Sequence, residues 1–99
     1  MAFVRTENYT ANNGTVYADV AAWVAEHGNT CIDGGVAHGY TGAHTLLEGG
    51  TGIQVVLTYA DQAAHDAHMA SVASENPGVD TSVSWASGVG ATGTFVSAA

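Results

Sequence analysis

The stretch YADQAAHDAHMASVASENP, residues 59 to 77, places His65 and His68 three residues apart with Asp66 between them. Imidazoles ligate metals, move protons near neutral pH, or make packing hydrogen bonds when buried. A zinc or iron site needs three or four ligands, each oriented by a further partner. His65 and His68 supply two, and His38 supplies a third only if its strand runs beneath them. No metal site and no cofactor are therefore expected. Acid–base chemistry needs one imidazole held beside a cavity. His68 leads that reading, with His38 and Tyr40 behind it. The reading given most weight is structural: His68 hydrogen-bonds within the core and closes the helix onto the sheet, and His65 is a half-buried packing residue.

Positioning these residues falls to a helix over 61–74, capped by Asp61 and ended by ENPG. At about 100° per residue, His65, His68, Met69 and Val72 share one face, whereas Asp66 points away. The strand before it, GIQVVLTYA over 52–60, alternates clearly. Ile53, Val55, Leu57 and Tyr59 face one way, and Gln54, Val56 and Thr58 the other. The second face is partly polar, which suits an interface or a lined cavity. A first strand over 2–10 puts Phe3, Arg5, Glu7 and Tyr9 on one side and Val4, Thr6 and Asn8 on the other.

A first helix is expected over 15–27, with Val16, Val20, Trp23, Val24 and His27 as its apolar stripe, Thr15 or an upstream Asn as its cap, and Gly28 at its C-terminal end. A second strand is expected over 31–41, with Val36, His38 and Tyr40 on one face, followed by a long turn, GAHTLLEGGTG. In the tail, Val83 and Trp85 mark a strand, SGVGATG reads as a flexible turn, and TFVS as a short last strand. Such a tail could reach over a partner subunit.

The order is β-α-β-β-α-β, with room for one more strand. This predicts an α+β, ferredoxin-like antiparallel sheet with both helices on one face, in a single domain spanning residues 1–99. The bare face of so short a chain is most simply covered by a second copy.

Charge narrows the partners. Arg5 is the only basic side chain among 99 residues, and the net charge is −8. Phosphate-backbone binding needs several Lys and Arg contacts, so nucleic acid is excluded, and anionic membrane surfaces are disfavoured. No apolar run approaches the roughly 18 residues of a membrane span, and the first residues lack the pattern of a secretory signal. A soluble, cytoplasmic protein is expected. Cys31, the lone cysteine, reads as a buried thiol rather than a nucleophile. GGVAHG and GVGATG do not sit between a long parallel strand and a helix, which argues against dinucleotide binding. Tyr9, Tyr40, Tyr59 and Trp85 are the aromatic side chains available to wall a cavity or fill a core.

The run GIQVVLTYADQAAHDAHMAS resembles the antibiotic biosynthesis monooxygenase-like proteins of the dimeric α/β barrel superfamily. It has their apolar strand, polar turn, alanine at Ala64 and a later histidine at His68. Tyr59 stands near the family's tryptophan, and His65 at its apolar helix position. The resemblance implies a homodimeric α/β barrel in which sheet faces enclose a cavity. It implies cofactor-independent oxidation of a small aromatic or polyketide-like molecule, or a non-catalytic ligand-binding or assembly module. Whether the chain is an enzyme stays open. In the first case His68 and His38 are the catalytic candidates, with Tyr40, Gln54 and Trp85 binding a small apolar or aromatic ligand.

Overall fold

The computed structural model describes residues 2–28, 39–75, 84–86 and 90–99, with the backbone alone for 84–86. The elements are β1 (Phe3–Ala11), α1 (Val20–His27), β2 (Tyr40–Leu46), β3 (Gly52–Tyr59), α2 (Gln62–Glu75), β4 (Ser84–Ala86) and β5 (Ala91–Ala98). One antiparallel sheet runs β2-β3-β1-β5-β4. This α+β arrangement is consistent with a ferredoxin-like fold carrying one extra edge strand.

Strand alternation decides what the sheet buries. Arg5, Glu7 and Tyr9 of β1 and Ile53, Val55, Leu57 and Tyr59 of β3 are buried on one face, where Trp23 of α1 joins the same apolar cluster. His65, His68 and Val72 of α2 are buried too, and both imidazoles meet Tyr59 on this face. Both helices thus cover one side, as the alternation predicts. The other side carries Val4, Thr6, Asn8, Gln54, Val56 and Thr58, each half-buried.

Several boundaries differ from expectation. The first helix begins at Val20 rather than residue 15, because Asp19 takes the cap and accepts the Ala22 amide at 2.8 Å. The preceding residues are drawn to the β2–β3 connection instead, where the Tyr17 amide donates to the Gly50 carbonyl at 2.8 Å. Val16 therefore leaves the expected stripe and is 66% exposed. Gly28 does close the helix, with φ of 75° and its amide donating to the Val24 carbonyl.

The second strand occupies Tyr40–Leu46, so the first five residues of the expected long turn are strand. Pairing with β3, from Tyr40 opposite Tyr59 to Leu46 opposite Ile53, overrides the weak local signal of Gly42 and Ala43. The remaining turn is short, with one 3₁₀ turn at Glu48–Gly50. Of the expected strand 31–41, residues 31–38 lie outside the described residues, as does Cys31 within them.

The second helix matches closely and is capped by Asp61, which accepts the Ala64 amide at 2.9 Å. In the tail, Ala91–Gly93 is strand rather than flexible turn. Gly93 lies opposite Tyr9, whose ring occupies the space a side chain would need: an added Cβ would lie 2.7 Å from Tyr9 Cε1. The last strand does not reach away from its own sheet but pairs with β1 along its length, with a register shift between Thr6 and Glu7.

Candidate functional site

The chain's one basic side chain is inside it. Arg5 is 2% exposed, and Glu7, two residues on along the same face of β1, is 1% exposed. Burial of an ion pair is sustained only when geometry and further hydrogen bonds offset the lost hydration. Here Arg5 Nε and Nη2 donate to Glu7 Oε2 at 3.1 and 3.0 Å, and the Tyr9 hydroxyl donates to Oε1 at 3.3 Å. The guanidinium also lies 4.8 Å from the centre of the Phe95 ring, a cation–π contact.

Arg5 Nη1 lies 3.3 Å from His65 Nε2, and His65 Nδ1 lies 2.9 Å from Asp66 Oδ1. A guanidinium only donates and a carboxylate only accepts. His65 therefore accepts at Nε2 and donates from Nδ1, which places its single proton on Nδ1. This corrects the helical-wheel expectation for Asp66. Its side chain is 62% exposed, yet its carboxylate turns back to the imidazole one residue earlier. The ring of Phe3 flanks His65 at 4.7 Å.

His68 belongs to a neighbouring group. The Tyr59 hydroxyl is 2.5 Å from His68 Nδ1, and the Tyr40 ring stacks on the imidazole at 4.8 Å with 24° between planes. A similar pairing recurs under α1, where the Tyr17 hydroxyl lies 2.5 Å from His27 Nε2 and Trp23 packs on that imidazole at 4.1 Å. Burial pushes the Tyr17 phenol above its ordinary 10.0. The Glu26 carboxylate beside it works in the same direction, and Thr15 opposes both.

The expected site residues are therefore divided. His68 and Tyr40 meet on the helix-covered face. Gln54 lies on the opposite face, where its Nε2 donates to Asn8 Oδ1 at 3.3 Å. Trp85 sits in β4 with its backbone opposite Gly93. His38 lies outside the described residues. The residues not foreseen as a group are Arg5, Glu7, Tyr9 and Tyr17. For Arg5, Glu7 and Tyr9 the signal was polar side chains at i, i+2 and i+4 on the core face of β1, in a chain whose one Lys or Arg is Arg5.

Chemically, both nitrogens of His65 and one nitrogen of His68 are engaged by groups of the same chain. The geometry is that of a core polar network in which buried donors and acceptors are matched. Among the described residues, no side-chain nitrogen or oxygen that is fully buried lacks a partner. Among them too, no group of three or more His, Cys, Asp or Glu is placed to hold a metal ion, and no helix is long and apolar enough to cross a membrane.

The open face of the sheet is different in kind. No described Asp, Glu, Lys or Arg lies on it. Glu7 is buried on the helix side, and Asp19, Glu26, Asp61, Asp66 and Glu75 belong to the helices and their caps. Glu48 is in the β2–β3 connection. What the open face offers is hydroxyl, amide and methyl groups: Thr6, Thr58 and Thr41 with Asn8, Gln54 and Val56. Comparison with protein-family models, with curated proteins and with solved structures finds no match.

Proposed function

We propose that the chain is a homodimeric module of the antibiotic biosynthesis monooxygenase-like type, in which two copies meet through their open sheet faces and enclose space for a small uncharged molecule. In this reading it binds or assembles rather than catalyses. The observation that carries it is the segregation of charge. A chain of net charge −8 keeps its described acids off one face of its sheet, and a second copy can approach there without placing carboxylate against carboxylate.

The half-buried Val56 and its polar neighbours suit a contact that is partly apolar and partly hydrogen-bonded, as interfaces commonly are. The oxygenase alternative asks for an imidazole facing the enclosed space. His65 and His68 are instead spoken for on the far side of the sheet. A small apolar or aromatic ligand remains compatible with the methyl groups of the open face, but no catalytic role is assigned to His68.

Sedimentation equilibrium at 150 mM salt tests the reading. The native chain should be a dimer. Val56→Glu, which sets a carboxylate in the middle of the open face, should be a monomer with unchanged far-UV circular dichroism. A native chain that is monomeric at micromolar concentration overturns the proposal.

A further inference from the structure

The open face is free of described charge, but the molecule behind it is not, and this has a consequence for when two copies associate. We infer that association is controlled by ionic strength: added salt strengthens the dimer, the reverse of what charge-paired interfaces do. The inference rests on the face-to-face dimer proposed above.

Each copy brings a net charge of −8. The one cation, Arg5, is sealed beneath the helices against Glu7, so it does not offset the field at the surface of either copy. Stacked sheets lie about 10 Å apart. Each chain measures 21 Å in its least extent, so the outer helix sides of the two copies would lie on the order of 50 Å apart. Repulsion between them is therefore long-ranged and not relieved by contact at the interface. The screening length is about 30 Å at 0.01 M salt and about 8 Å at 0.15 M. At 0.01 M the two acidic layers still repel one another. At 0.15 M they are separated by several screening lengths and repulsion is nearly gone. Unit charges at these distances interact weakly one by one in water, but the exposed carboxylates Asp19, Glu26, Asp61, Asp66 and Glu75 of each copy act together, and a dissociation constant about several-fold weaker at 0.01 M follows.

The measurement is the dimer dissociation constant of the full chain, by sedimentation equilibrium in 10 and 150 mM sodium chloride. The expected result is association that is about several-fold tighter at 150 mM. A second protein separates screening from any general effect of salt on apolar contact. The double variant Glu48→Gln, Glu75→Gln lowers the net charge from −8 to −6 at two exposed positions outside the open face. It should dimerise more tightly than the native chain at 10 mM, with a smaller change on adding salt. A dissociation constant that is equal at the two salt concentrations, or weaker at 150 mM, overturns the inference while leaving the dimer intact. So does a double variant with the native salt response. A chain that is monomeric in both buffers overturns the dimer itself.

Discussion

Arg5 and Glu7 stand two residues apart on β1, and two guanidinium nitrogens, Nε and Nη2, converge on one carboxylate oxygen of Glu7. Alternation along a strand puts i and i+2 side by side on one face, and here that face is the one sealed by the helices. The pair is also a junction. Glu7 takes the Tyr9 hydroxyl, and Arg5 reaches His65 across the gap to α2.

Removing one partner of such a pair leaves a buried charge uncompensated. Arg5→Met is expected to destabilise the fold by about 3–5 kcal/mol, and Glu7→Leu by a similar amount. The double replacement Arg5→Met, Glu7→Leu should cost distinctly less than the sum of the two single changes, because no charge is then stranded. Urea denaturation of the four proteins measures this, and additive losses would contradict it.

The Tyr59–His68 contact predicts a separate coupling. Tyr59→Phe should cost about 1–2 kcal/mol, since the His68 nitrogen loses its phenol partner while staying buried. With His68→Leu as the second arm, a double-mutant cycle should return a coupling of about 1 kcal/mol. Thermal unfolding reads it. A coupling near zero would show that the phenol and the imidazole pack together without bonding.

Tyr17 makes alkaline stability a readout of α1. Its phenol is held above 10.0 by burial and by Glu26. The unfolded chain therefore loses this proton first as pH rises, and the native state binds more protons through that window. By linkage, stability is intact below pH 10.0 and falls as pH climbs toward the native value. Ultraviolet titration should show a tyrosine that ionises late, and Glu26→Gln should bring it back toward 10.0. A Tyr17 signal unmoved by Glu26→Gln would place the cause in burial alone.

The elements that were legible in the sequence are those whose local pattern agrees with their tertiary setting. In β3, Ile53, Val55, Leu57 and Tyr59 alternate with Gln54, Val56 and Thr58, and α2 carries His65, His68 and Val72 on one face behind an Asp61 cap. Local and global preferences parted elsewhere. Thr15 and Val16 look helical, but the Tyr17 amide finds a partner at Gly50 and Asp19 caps better. Gly42 and Ala43 read as turn, but β3 supplies a ladder for them.

The imidazole faces could be read from spacing. The identities of their partners could not, because Arg5 meets His65 across sixty positions of chain, a proximity only the folded sheet creates. Asp66 was misplaced for a subtler reason. A helical wheel gives the direction of a Cβ, and a carboxylate can still fold back along the helix to a neighbouring ring.

The order of strands also sets the timetable of folding. The middle strand, β1, has no neighbour that is close in sequence. It is bordered by β3, with Thr10 opposite Gly52, and by β5, with Thr10 opposite Thr92. Only the β2–β3 and β4–β5 hairpins can zip from nearby residues. Everything around β1 must close long loops before any contact rewards them, so assembly should be slow for so small a protein. On the ribosome, the buried arginine and glutamate wait in water until α2 and β5 have emerged as well.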